Sequence, residues 1–144
     1  MNSILTHAHS GLRWVALILL LLAIVNAFTS KEYDKKHRLI NLFAMVSLHT
    51  QLLIGLIQYF GTSTKVQFIE GWMKNPLLRF YGMEHILLMI IAIVLVTIGH
   101  SKSKKGTTPE EKFKPVKLFY LIGLVLILAG IPWPFREVLG GGWF

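Results

Sequence analysis

The sequence predicts an all-α protein, an integral membrane four-helix up-down bundle with both termini on the outer, periplasmic side. Three observations carry this. Four apolar stretches run roughly over residues 9–28, 39–60, 80–99 and 116–133 of the 144. About 20 residues at 1.5 Å rise cross the roughly 30 Å hydrocarbon core, so each stretch is long enough. Hydrophobic residues make up 53% of the chain and no repeat or polar linker divides it, so residues 1–144 read as a single membrane domain. Finally, ten of the fifteen Lys and Arg residues fall between the first and second stretches (Lys31, Lys35, Lys36, Arg38) or between the third and fourth (Lys102, Lys104, Lys105, Lys112, Lys114, Lys117). Those loops share one side of an up-down bundle, and short Lys/Arg-rich loops stay cytoplasmic.

The first stretch, HSGLRWVALILLLLAIVNAF, is polar at its outer end and aliphatic towards the cytoplasm, so its aliphatic part faces lipid. It ends in the basic run Lys31 to Arg38, a stop-transfer flank rather than a cleaved signal. The second, LINLFAMVSLHTQLLIGLIQYF, carries Asn41, Ser47, His49, Thr50, Gln51 and Gln58, too many polar groups for a lipid-exposed surface, and is expected to face the interior along much of its length. The loop from Gly61 to Arg79 contains Phe68, Trp72 and Met73 and suits a short interfacial helix. The third, FYGMEHILLMIIAIVLVTIG, has its polar residues at the outer end. In the fourth, VKLFYLIGLVLILAGIPWPF, Gly123, Ala129 and Gly130 permit close packing, and Pro132 and Pro134 end or kink the helix.

Composition narrows the function. The net charge of +8 is explained by the inner loops and anionic lipid headgroups, so the lipid bilayer is the partner and nucleic acid is not. Without cysteine there are no thiolate metal sites, iron–sulfur clusters or thioether-attached haems. No nucleotide-binding or hydrolase motif occurs.

Depth along the helices can be counted from the cytoplasmic ends near Phe28, Leu39, Gly99 and Val116. At 1.5 Å per residue, His49 lies about 15 Å deep, His85 and Glu84 about 21 to 23 Å, Arg13 about 22 Å, Pro132 about 24 Å and His9 about 28 Å. One outer layer therefore gathers two histidines, a carboxylate, a guanidinium and a broken helix. Charged groups at such depth are disfavoured against lipid by about 2.5 kcal/mol or more, so they should meet one another or a bound group. One outcome is a buried Arg13–Glu84 ion pair with the histidines as structural hydrogen-bonding groups. Another is a b-type haem whose iron is held by imidazoles from two helices. His49 with His85 is then the first pair and His9 with His85 the alternative, with Arg13, Arg79 and His9 towards the propionates and Met89 and Trp133 beside the cavity. A non-haem metal site from His9, His49, His85 and Glu84 is a third arrangement. His37 and His100 fall at the cytoplasmic boundary among lysines and are expected to be solvated, and His7 lies at the outer surface.

The strings HSGLRW, HTQLLIGLIQYF, RFYGMEH and IPWPFR resemble those of short bacterial four-helix membrane proteins labelled cytochrome b-like, and more remotely the four-helix membrane cytochromes b that exchange electrons with quinones. The resemblance covers nearly the whole chain and marks His9, Arg13, Trp14, His49, Gln51, Arg79, Glu84, His85, Pro132, Trp133 and Arg136. It implies a multi-pass protein of the bacterial inner membrane carrying one haem b near the outer face, with electron transport to or from a membrane quinone. The fourth stretch has no histidine, unlike the larger cytochromes, which argues against a second haem. The competing expectation is a structural subunit of a larger membrane complex or a homo-oligomer, in which the polar layer only holds the helices together.

Overall fold

The computed structural model describes residues 2–143 and contains, among them, helices and turns but no strand. Four helices dominate: α1 (Asn2–Thr29), α2 (Lys35–Ile57), α3 (Pro76–Lys105) and α4 (Pro109–Gly130). Each is long and apolar enough to cross a membrane. They stand in a ring in which α1 packs on α2, α2 on α3, α3 on α4 and α4 on α1. Successive helices are antiparallel. At one end His9 of α1 lies beside Gly55 of α2 and His85 of α3 bonds to Gly130 of α4; at the other, Tyr120 of α4 donates to the Asn41 carbonyl of α2 and Ser103 of α3 to the Lys112 carbonyl of α4. The first is called the aromatic end below, and the second, which holds the lysine-rich connections, the basic end.

The helices outrun the apolar stretches because hydropathy marks the hydrocarbon core, whereas helix ends are set by caps. Asn75 Oδ1 accepts from the Leu77 and Leu78 amides (3.0 and 3.3 Å), and Pro76 at the first helical position starts α3 with no wasted donor. Thr108 caps α4 in the same way, accepting from Glu111 N (3.1 Å) before Pro109, so most of the lysine-rich connection is itself helical. Only residues 106–108 separate α3 from α4. At the start of α2 the Asp34 amide donates to His37 Nδ1 (2.9 Å), one half of a reciprocal cap.

Three wide turns with i→i+5 bonding interrupt the ladders: Gln58–Thr62 continues α2, Phe80–Glu84 lies in α3, and Val116–Tyr120 lies in α4 just after Pro115. The α2–α3 connection includes one short helix, the single 3-10 turn Trp72–Lys74.

The core runs down the bundle axis through Ala16, Leu20, Ala23 and Ala27 of α1, Ala44 and Leu48 of α2, Ala92, Ile93 and Val96 of α3, and Val116, Tyr120 and Ile127 of α4. Small residues set the approach of α3 and α4. A Cβ on Gly123 would meet Val96 at 2.8 Å, and one on Gly130 would meet Met89 at 2.6 Å, so α3 side chains seat directly on the bare α4 backbone at these small residues. Ala129, expected in the same contact, is exposed. Val15, Ile18, Leu21, Leu22, Val25 and Phe28 form the exposed aliphatic face expected of α1.

Candidate functional site

The site is built at the broken end of α4. Its ladder should continue with the amides of residues 132 and 134 donating to the carbonyls of Leu128 and Gly130, but both are prolines and have no N–H. Ile131, before Pro132, is turned out of the helix (φ −78°, ψ 135°). The two stranded carbonyls are taken by side chains. Trp133 Nε1 donates to Leu128 O (2.9 Å), and His85 Nδ1 sits 2.6 Å from Gly130 O. A carbonyl only accepts, so His85 carries its proton on Nδ1 and leaves Nε2 as a free lone pair.

His85 lines a cavity of about 350 Å³ at the aromatic end. Leu20, Leu48, Ile86, Ile93 and Ile127 line its deep part, and His9, Arg13, Gln51, Tyr59, Lys65 and Tyr81 line its outer part. The His9 and His85 rings lie edge to face, their centroids 6.3 Å apart and planes at 80°. His9 sits against Gly55, where a Cβ would stand 3.4 Å from its Cε1, and its own carbonyl accepts from Gln51 Nε2 (2.8 Å), which ties α1 to α2 at this level. Three buried polar atoms here find no partner among the described residues: His9 Nδ1, Arg13 Nε and Gln51 Oε1. Orphaned buried polar atoms are uncommon in folded proteins, and three around one cavity are what a binding site leaves when read without its ligand.

Among the residues expected at the site, His9, His85, Arg13 and Gln51 come together, with Met89 on the cavity wall. Trp133 lies beside it, 6.0 Å from Trp14 and 5.9 Å from Trp143, in a cluster that also receives the Arg13 guanidinium (5.4 Å from the Trp14 ring, 5.8 Å from that of Trp133).

His49 is not brought to His85. The buried stripe of α2 is His37, Asn41, Ala44, Leu48 and Gln51, and His49, one residue past Leu48, is turned about 100° away from it. It is exposed on the outside of the bundle, with Nε2 2.8 Å from Thr97 Oγ1. The expected Arg13–Glu84 pair is not formed either. Glu84 Oε1 accepts from Arg79 Nε at 2.6 Å, because the wide turn Phe80–Glu84 brings residues five apart onto one face. Arg79 therefore serves Glu84 and the Met73 carbonyl and does not line the cavity. With His49 and Glu84 engaged elsewhere, the four-residue metal site does not assemble, and no cluster of three or more His, Cys, Asp or Glu suited to a metal ion occurs among the described residues. Arg136 lies over the Phe80 ring at 5.1 Å.

His7 is exposed, but His37 and His100 are buried rather than solvated. His37 caps α2 and packs between Tyr33 and Phe113, with ring centroids at 6.0 and 5.4 Å. Lys65, Tyr59, Tyr81 and Gly140 to Gly142 are cavity residues that sequence reasoning missed. Lys65 alone carried a signal, as a cation placed just beyond the outer end of an apolar stretch. No family model, curated protein or solved structure matches the chain, so the site is read from its own chemistry.

Proposed function

We propose that the chain is a membrane b-type cytochrome carrying one haem, with His9 and His85 as the iron ligands, that exchanges electrons with a membrane quinone. The observation that carries this is the His9–His85 separation of 6.3 Å. Rings on two helices at that separation are close enough for both residues to hold one metal ion, once the edge-to-face pair turns so that a nitrogen of each ring would face it. The residues present fit the group. His85 holds its Nδ1 proton on a backbone carbonyl, the second-shell arrangement that presents Nε2 to a metal, and His9 has an unpartnered ring nitrogen. The deep wall is aliphatic, while Arg13 and Lys65 at the mouth supply the donors that the propionates need.

When bound, the haem would supply one-electron redox chemistry, with its potential set by the ligands and by burial. The chain itself orients the two imidazoles through Gly130 and Gly55, keeps water from the deep pocket with Leu20, Ile93 and Ile127, and places cations at the mouth. The lysine-rich connections at the basic end support a cytoplasmic position for that end, hence a haem in the outer half of a bacterial inner membrane. The quinone partner rests on membrane residence and on the resemblance carried by HSGLRW, RFYGMEH and IPWPFR. The test is an absorption spectrum of the purified protein, oxidised and then dithionite-reduced: sharp reduced α and β bands are expected, and a featureless spectrum from haem-replete cells would overturn the reading.

A second reading has its own observation. His49 and Thr50 are exposed halfway along α2, on a face that otherwise meets lipid, which favours packing of α2 against another membrane subunit or a second copy. Size measurement in mild detergent distinguishes a monomer from either assembly.

A further inference from the structure

The segment after α4 turns back over the cavity mouth, and side chains from three other parts of the molecule hold its carbonyls. Tyr81 OH donates to Leu139 O (2.7 Å), Lys65 Nζ to Gly140 O (3.3 Å), Arg13 Nη2 to Gly142 O (3.1 Å) and Trp143 O (2.5 Å), and Trp14 Nε1 to Trp143 O (2.7 Å). Gly140, Gly141 and Gly142 line the cavity with bare backbone. Gly140 has φ +65°, a left-handed bend that only glycine adopts freely. Trp143 stacks on Trp14 at 6.2 Å and closes the edge.

Arg13, Lys65 and Tyr81 are cavity residues as well as the anchors of this segment. They are therefore donors with two claimants. A backbone carbonyl is a neutral acceptor, and a carboxylate accepting from a guanidinium or ammonium makes a bond about twice as strong. Arg13 Nε, buried and without an acceptor among the described residues, is a further donor that the segment leaves unmet and a carboxylate could take.

We propose that residues 139–143 form a strap that holds the cationic mouth closed with backbone carbonyls and gives it up to the carboxylates of an entering ligand, so that loading the cavity and releasing the strap are one exchange. The ligand chemistry is a carboxylate on an apolar body. Haem, through its propionates, is the source that follows from the proposed function, on which this identification rests; a long-chain fatty acid offers the same chemistry.

Hydrogen–deuterium exchange at the Leu139 and Gly140 amides, which donate to Arg136 O and Glu137 O (2.9 and 3.1 Å) at the start of the strap, read alongside ligand binding to the full chain in lipid nanodiscs, tests this. Haem should raise exchange in the strap at least about tenfold, the equivalent of one hydrogen bond to a charged group, whereas haem dimethyl ester should bind without doing so. Gly141→Ala, whose Cβ would overlap the Pro132 carbonyl, should loosen the strap and tighten haem binding by a similar factor while leaving the ester unchanged. If that variant does not fold, Trp143→Ala removes the stacking contact instead and should act in the same direction. A strap that stays protected on haem binding, or a variant that shifts haem and ester equally, overturns the proposal. If neither porphyrin binds, the haem reading fails and dodecanoate decides for the strap: release by dodecanoate but not by dodecanol upholds it, and protection against both overturns it.

Discussion

At the basic end Tyr33, His37, Asn41, Ser103 and Tyr120 lie within the bundle, much as His9, Arg13, Gln51 and His85 do at the aromatic end, yet the two sets meet their hydrogen-bonding needs differently. Tyr120 OH donates to Asn41 O (2.8 Å), Asn41 Nδ2 to Tyr33 OH (3.2 Å), Ser103 Oγ to Lys112 O (2.7 Å), and the Asp34 amide to His37 Nδ1 (2.9 Å). Only His100 Nδ1 is left over there among the described residues, against three orphans around the cavity. Buried polar groups that satisfy one another make a bundle more rigid. Groups that converge on a space and leave polar atoms over are the ones the proposed ligand would meet. Each end sets two histidines within the bundle, His9 and His85 at one and His37 and His100 at the other, so the distinction lies in the partners and not in the residue type.

The largest effect that could break this comparison is all-or-none. His85→Ala and His9→Ala should each abolish the paired α and β bands of the reduced protein, because each removes one of the two proposed iron ligands. His37→Ala should leave the bands in place and lower stability by about 1–3 kcal/mol, the effect of losing a buried hydrogen-bonding group. Equal spectral loss from all three would mean that the two ends do not differ in kind.

The next test measures the satisfied end directly. Tyr120→Phe strips the donor from the Asn41 carbonyl while keeping the ring, and should lower the unfolding free energy in detergent by about 1–3 kcal/mol with no spectral change. Gln51→Leu at the other end loses the bond to His9 O but also removes an orphaned amide oxygen, so its net effect on the ligand-free protein should fall within about 1 kcal/mol of zero. Finding Gln51→Leu the more damaging of the pair would show that the cavity end is held as tightly as the basic end.

How far the sequence foretells this arrangement depends on the direction of measurement. Position along the bundle is legible, because rise per residue is nearly constant: the count that put His9, Arg13, His85 and Pro132 in one layer is matched by their meeting at one cavity. Position around each helix axis is not, since one residue turns the side chain by about 100° and a depth count carries no azimuth. That is why His49, at a plausible depth for its pairing, lies outside the bundle. The wide turn at Phe80–Glu84 resists reading for a related reason: it adds a residue to one turn and so exchanges Arg13 for Arg79 as the partner of Glu84. The return of residues 139–143 over the mouth has no periodic signal. The role of IPWP, by contrast, follows from the chemistry of proline, because two missing amides must strand two carbonyls. Which side chains capture them needs the third dimension.

The smallest expected effect bears on azimuth itself. Thr97 Oγ1 donates to Ile93 O (2.7 Å), so its contact with His49 Nε2 (2.8 Å) has the histidine donating, and leaves Nδ1 as an acceptor with no partner among the described residues. A single bond between membrane helices contributes on average about 0.6 kcal/mol, so His49→Ala should lower stability by about that much and leave the haem spectrum untouched. If it instead abolished the spectrum, α2 would have to be rotated by about 100° in the loaded protein, carrying Leu48 and Gln51 off the buried face. Gln51 would then lose its bond to His9 O, and the tie that holds α1 against α2 would be gone. One variant at a position outside the bundle therefore tests whether the cavity end keeps its helix register when it is filled.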